Sequence, residues 1–193
     1  MTPNPSLQRR SLYLPDEAAT SRLGAALAES IAALFLRSGR AAVVYFSGDL
    51  GTGKTTLIRA LLRALGVAGR IKSPTYALVE PYRIALQNWP KPQSELEFDK
   101  NLCLYLQLQC YHFDFYRFRG TREWLEAGFR EYFDNRSLCL VEWPENAGDV
   151  LPCPDLHVHI FSASEGEGRT IALDAFSEPG IECLNAAASS QTA

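Results

Sequence analysis

"AAVVYFSGDLGTGKTTLIRALLRALG", residues 41–66, decides the fold. Its first seven residues, Ala41 to Ser47, form a short apolar run rich in β-branched and aromatic side chains, the pattern of a strand buried on both faces. Gly48-Asp49-Leu50-Gly51-Thr52-Gly53-Lys54-Thr55 then matches G-x-x-x-x-G-K-[ST] at every fixed position. Beyond it Leu57, Ile58, Leu61, Leu62 and Leu65 mark one face of a helix, with Arg59 and Arg63 directed outward and Gly66 as the stop. In a strand–turn–helix context the glycines let backbone N–H groups curl around phosphates, and the helix N-terminus adds positive partial charge. Lys54 can reach the β- and γ-phosphates, and the Thr55 hydroxyl is the expected Mg²⁺ ligand. Gly48, Gly51, Thr52, Gly53, Lys54, Thr55 and Thr56 are therefore the expected nucleotide-binding residues. A glycine-rich hairpin beside an ordinary surface lysine is the competing account, and it leaves the flanking strand and helix unexplained.

Upstream, apolar positions Ala19, Leu23, Leu27, Ile31, Leu34 and Phe35 recur at helical spacing from Asp16 to about Arg37, with Asp16 placed as an N-cap and Gly39 as a stop. Downstream, "ALVEPY", "CLYLQLQCYHFDFYRF" up to Asp114, and "SLCLVEW" are expected strands, and Trp124, Leu125, Gly128, Phe129, Tyr132 and Phe133 repeat at helical spacing. "LHVHIF" and "RTIALDAF" resemble closing strands, a pair that could be antiparallel. Strands interleaved with helices imply an α/β fold: a single P-loop NTPase-like domain with a mostly parallel sheet flanked by helices. Its expected extent is residues 12–180, between a flexible N-terminus (1–11) and a flexible tail (181–193), with a polar surface insertion at about 84–105.

With 193 residues, 47% of them hydrophobic, the chain has enough material for one compact domain and its core. Nineteen basic and 22 acidic side chains give a formal charge of -3, which excludes a general electrostatic pull toward DNA, RNA or an anionic membrane. The strip "YRFRGTR", Tyr116 to Arg122, is a local basic-aromatic exception that reads more simply as a solvated approach to a helix. Five cysteines, at 103, 110, 139, 153 and 183, include no C-x-x-C pair and fit a reducing compartment. The first ten residues lack an apolar signal segment, and no run approaches the roughly 18 apolar residues of a membrane span. The expectation is a cytoplasmic protein.

A magnesium–nucleotide complex needs carboxylates or water-positioning groups beyond Thr55. Asp114 closes "QCYHFD" and Glu142 closes "SLCLVE", both at carboxyl ends of strands, where ligands sit in open α/β sheets. Either acid alone could be an ordinary solvated strand-end charge; together, beside a complete phosphate loop, they are expected to position metal or water. Lys54, Asp114 and Glu142 form the expected catalytic set, with Thr55, Asp114 and Glu142 as the metal set. Ser73-Pro74-Thr75 falls where a γ-phosphate-sensing loop would lie, and it is equally ordinary turn chemistry. His112 projects to the same strand face as Asp114 and is expected to be a packed, hydrogen-bonded histidine.

"LPDEAAT", "GDLGTGKTT", "KSPTYALVEPY", "YHFDFYRF", "EWLEAGFREYFD" and "LVEWPENAGDVLP" occur in that order, and the set resembles the bacterial TsaE (YjeE) family over about residues 12–175. The resemblance implies a single-domain, Mg²⁺-dependent ATPase of the tRNA threonylcarbamoyladenosine (t6A) machinery. Its expected partners are the TsaB–TsaD pair, with tRNA engaged indirectly through that complex. It further implies that Thr55 and Glu142 serve Mg²⁺, that Asp114 lies in or next to the metal shell, and that Trp143 stands at the catalytic edge. Ser73 and Thr75 correspond to a switch-like segment, and Glu17 and Arg169 to positions near the adenosine end of the nucleotide. The chain departs from the family pattern at Thr52, where many members carry alanine, a small change expected to be tolerated if the hydroxyl points outward. The segment between Tyr82 and Tyr111 is also about twenty residues longer than the family's short hairpin link, an extension that is inexpensive on a surface.

Two other functions fit the phosphate loop. A small-molecule or nucleoside kinase would use an arginine-rich lid, for which Arg117, Arg119 and Arg122 are the available residues. A nucleotide-dependent binding module would hold ATP as a structural ligand and tolerate Glu142→Ala.

Overall fold

The computed structural model describes residues 5–86, 89, 107–163 and 168–190. They form one α/β domain around a seven-stranded sheet of order β1-β7-β6-β2-β5-β4-β3. The strands are β1 (Gln8–Leu14), β2 (Val43–Ser47), β3 (Val79–Ala85), β4 (Gln107–Asp114), β5 (Ser137–Glu142), β6 (Leu156–Ser162) and β7 (Arg169–Ala175). β6, β2, β5 and β4 run parallel to their neighbours and form the centre; β3 on one side, and β7 with β1 on the other, are antiparallel additions. The apolar run after Gly39 thus supplies the middle strand. The chain leaves β2 toward β3 on one side of the sheet, whereas it leaves the neighbouring β6 toward β7 on the other, so the glycine-rich turn following β2 sits at a topological switch point.

Helix α1 spans Glu17–Ser38, and its ends obey the expected signals. The Asp16 side chain accepts from the Ala19 N–H at 2.7 Å, and Gly39 closes the helix in the left-handed conformation. α2 (Lys54–Ala64) packs across α1 at Gly24, where an added Cβ would stand 2.6 Å from the Ala60 Cβ. By length and composition α1 is apolar enough to cross a membrane, contrary to the expectation that no segment would be. Its apolarity has a local explanation: Leu23, Leu27, Ala28 and Ile31 are wholly buried in the core with α2 and the sheet.

On the other sheet face, α3 (Thr121–Ala127) and 3-10 turns at Phe129–Tyr132 and Pro144–Val150 cover an aromatic cluster. The periodicity from Trp124 to Phe133 suggested one helix. Gly128, at φ 68°, interrupts it, and the two short pieces still direct Trp124 and Phe129 inward.

Both ends of the chain require correction. Residues 8–11, expected to be flexible, belong to β1, which pairs with β7 and is fastened by the bidentate Arg9–Asp174 contact at 2.5 and 2.9 Å. "QRRSLYL" looks polar because an edge strand with one open face needs few apolar residues. The expected tail from 181 is largely helical: α4 (Glu178–Ser189) is capped by Ser177 and buries Cys183, Leu184 and Ala187. Its small residues allow contact too close for larger ones; a Cβ on Gly180 would lie 1.8 Å from the Asp155 carbonyl. Residues 84 and 85 of the expected insertion complete β3, and most of the remainder lies outside the described residues.

Candidate functional site

The turn between β2 and α2 is shaped by close approach as well as by dihedral angle. A Cβ on Gly48 would fall 2.2 Å from the Ile160 carbonyl, and Gly53 caps α2 at φ 105°. Inside the turn the Lys54 ammonium donates to the carbonyls of Gly48 (2.5 Å) and Asp49 (2.8 Å) and lies 3.8 Å from the centre of the Trp143 ring. Burial pulls its pKa below the ordinary lysine range, while Glu142, Glu145, Asp114 and Asp49 pull in the opposite direction. Trp143 reaches this position through a left-handed backbone (φ 57°, ψ 49°), a conformation costing a non-glycine residue about 1–3 kcal/mol. Thr52 does not point outward: it is 3% exposed, and its hydroxyl donates to the Asp49 carbonyl at 2.9 Å, bracing the turn.

Beside the turn, the sheet sets two carboxylates next to each other. Asp114 and Glu142 are register partners at the ends of parallel β4 and β5, and both are almost completely buried. The Thr55 hydroxyl lies 2.9 Å from each Glu142 oxygen, and His112 Nε2 is 2.8 Å from Glu142 Oε1. Ser73 and Thr75 both donate to Asp114 Oδ2, at 2.5 and 2.6 Å, while Asp114 Oδ1 accepts from the Tyr116 N–H. All of these residues except the fully buried His112 line, together with Trp143, a cavity of about 290 Å³. Its carboxylate and hydroxyl oxygens are the hard donors that suit Mg²⁺, and Thr55, Glu142 and Asp114 are the residues able to hold it. Among the described residues no group of three or more His, Cys, Asp or Glu is placed to hold a metal ion, so the hydroxyl of Thr55 is needed beside the two carboxylates.

A second cavity, about 640 Å³, continues from the other side of the turn and is lined by Glu17, Thr20, Gly51, Thr52, Thr56, Arg59 and Arg169, among others. Thr56 opens onto both cavities. Arg169 donates to the Thr52 carbonyl at 3.0 Å, fastening β7 to the phosphate turn. Glu17 is brought there as the first residue of α1, immediately after its Asp16 cap. All the residues expected from the sequence to hold nucleotide therefore surround two adjoining cavities, apart from Gly48, which shapes the turn behind them.

A family profile described as "Threonylcarbamoyl adenosine biosynthesis protein TsaE" matches residues 14–171. The chain belongs to the TsaE family. It is 40% identical to the tRNA threonylcarbamoyladenosine biosynthesis protein TsaE of Haemophilus influenzae over 148 residues, covering 77% of this chain and 79% of that protein. Its identity to the Bacillus subtilis TsaE is 30% over 125 residues, 65% of each chain. The crystal structure of Bacillus subtilis YdiB has the same fold, with a TM-score of 0.65, 21% sequence identity, and coverage of 95% of this chain and 97% of that one.

Within this TsaE-family chain, sequence reasoning missed three participants. Arg59, read as outward-facing, bends back to donate to the Ile71 carbonyl at 3.3 Å and lines the larger cavity. Ser47, the last residue of β2, links Glu145 (3.0 Å) to His157 (2.8 Å) directly beneath the turn. The third is the contact between His112 and Glu142: alternation along β4 placed His112 on the correct face, but its partner depends on strand order. Only the pairing of β4 with β5 reveals it.

Proposed function

We propose that this chain is a Mg²⁺-dependent ATPase that hydrolyses ATP to ADP and phosphate in support of t6A formation on tRNA, acting with a TsaB–TsaD pair. The observation that carries this reading is the single hydrogen-bonded assembly joining Thr55 of the phosphate turn to Glu142, beside an Asp114 braced by Ser73 and Thr75. Family membership supports the tRNA-modification setting. Bound Mg²⁺ would neutralise phosphate charge and polarise the phosphoryl oxygens.

The chain's own groups have separable tasks. Backbone N–H groups of the glycine turn and the α2 N-terminus receive the phosphates, and Lys54 leaves its carbonyl partners to follow the charge that develops on the β- and γ-oxygens. Glu142 and Asp114 orient the attacking water in line with the γ-phosphate. Ser73 and Thr75 report whether that phosphate is present, because their hydroxyls are already committed to Asp114 and must redistribute when the site fills. Trp143 and Tyr116, with ring centres 5.2 Å apart, restrict water at the entrance. The larger cavity, with Glu17 and Arg169, receives the nucleoside.

ATPase measurements with and without purified TsaB–TsaD, alongside Lys54→Ala, test this proposal. The expected outcome is slow hydrolysis by the chain alone, stimulation by the pair, and at least a ~100-fold loss in the variant. Rapid hydrolysis unaffected by the pair would count against partner coupling, and stoichiometric transfer to an added small-molecule acceptor would identify a kinase. Retention of t6A formation by Glu142→Ala would instead favour a binding module.

A further inference from the structure

We infer that His112 is a positioning residue that holds the Glu142 carboxylate in its working orientation. This rests on the proposed role of Glu142 beside the metal and attacking water. His112 is completely buried on β4, opposite Leu140 of β5 and two residues before Asp114. Its Nε2 lies 2.8 Å from Glu142 Oε1, whereas its Nδ1 is buried without a hydrogen-bond partner. An ionised carboxylate only accepts hydrogen bonds, so the imidazole proton belongs on Nε2 and the unpartnered Nδ1 is the nitrogen without one. The ring's polar attachment is therefore directed to a single atom of the catalytic assembly.

Glutamate has three side-chain torsions, and an unanchored carboxylate at the end of a strand would distribute among several of them. Thr55 donates from the α2 side to both oxygens, and His112 adds a second donor from the sheet that distinguishes them. With Oε1 tied to the imidazole, Oε2 is left as the less encumbered oxygen toward the cavity. Removing the imidazole donor would leave Glu142 chemically intact and geometrically loose. Outer-shell donors of this kind typically contribute 10–100-fold to metal affinity or activity.

His112→Leu removes the donor with little change in volume, while His112→Gln places an amide N–H near the position of Nε2. The direct measurement is Mn²⁺ affinity by electron paramagnetic resonance in the presence of a non-hydrolysable ATP analogue, together with analogue affinity in EDTA. The leucine variant is expected to bind Mn²⁺ about ten-fold more weakly and the glutamine variant to recover to within about three-fold of the parent, with metal-free nucleotide affinity unchanged in both. Equal affinity in His112→Leu and the parent, or equal damage in the leucine and glutamine variants, would overturn the positioning role. If Glu142→Ala itself leaves Mn²⁺ affinity intact, the metal-side role of Glu142 fails instead. Nitrogen-15 spectra of the unsubstituted protein supply a test independent of variant folding: the Nε2–H tautomer is expected, and an Nδ1–H tautomer would refute the inference.

Discussion

The two faces of the sheet are built from different materials. Toward α1, α2 and α4 the buried side chains are aliphatic or cysteine apart from Phe35 and Phe46, whereas toward α3 the cluster contains Tyr45, Phe113, Phe115, Phe118, Trp124 and Phe129. The aliphatic side rests on long helices that cross closely, and it supports the phosphate turn, Thr55 and the two carboxylates. Among the described residues the aromatic side has short helical pieces, so rings supply the area that regular helices supply opposite. Trp143, packed against this cluster, and the exposed Tyr116 beside it reach the rim of the smaller cavity. One face thus holds the charged groups in place, and the other governs what surrounds them.

The largest expected challenge to this comparison is Phe113→Ala. Phe113 is fully buried and touches the rings of Tyr111, Phe115, Phe129, Tyr132 and Phe133, so its truncation should cost about 3–5 kcal/mol in urea unfolding. A loss below about 1 kcal/mol would mean that the aromatic cluster is a coat over the sheet and no second core. Gly24→Val tests the opposite face by forcing a side chain into the α1–α2 crossing, with an expected loss of about 1–3 kcal/mol by the same method.

Smaller changes test the site supported by these cores. Thr75→Ala removes one of the two hydroxyls on Asp114 Oδ2 while Ser73 remains, and steady-state assays should show about a ten-fold loss in kcat with little change in melting temperature. The effect that is smallest near neutral pH, and grows only on acidification, concerns a partly buried histidine. Burial, then the neighbouring His159, lowers the His157 pKa from the ordinary 6.5 to about 3, against the opposing pull of Asp174. Between those values the unfolded chain binds the proton that the folded chain refuses, so stability falls as pH drops from about 6.5 toward 3. His157→Gln should flatten that limb of a melting-temperature-versus-pH curve, and an unchanged slope would assign the acid sensitivity to other groups.

What could be read in advance divides along physical lines. The β2–turn–α2 unit was legible because strand burial, the left-handed glycines of the turn and the helix face all impose local requirements on residues 43–66. Asp114 and Glu142 were legible as strand-end acids, and parallel pairing of β4 with β5 brings them together. β1 and α4 were not, because an edge strand carries little hydrophobic signal and an alanine-rich helix resembles a loose tail. The Thr52 hydroxyl and the return of Arg59 depend on carbonyls whose directions arise only from the folded turn and the loop after α2.

The β3–β4 hairpin has a practical consequence. Ala85 and Gln107 are register partners, so their Cα atoms stand only about 5 Å apart even though residues 86–106 intervene. Asp114 lies at the opposite end of β4, about 24 Å away along the strand. The hairpin mouth is therefore a natural socket: a reporter domain whose own termini are adjacent could be inserted beyond Trp89, leaving the buried Leu86 in place, and would be carried well clear of the glycine turn.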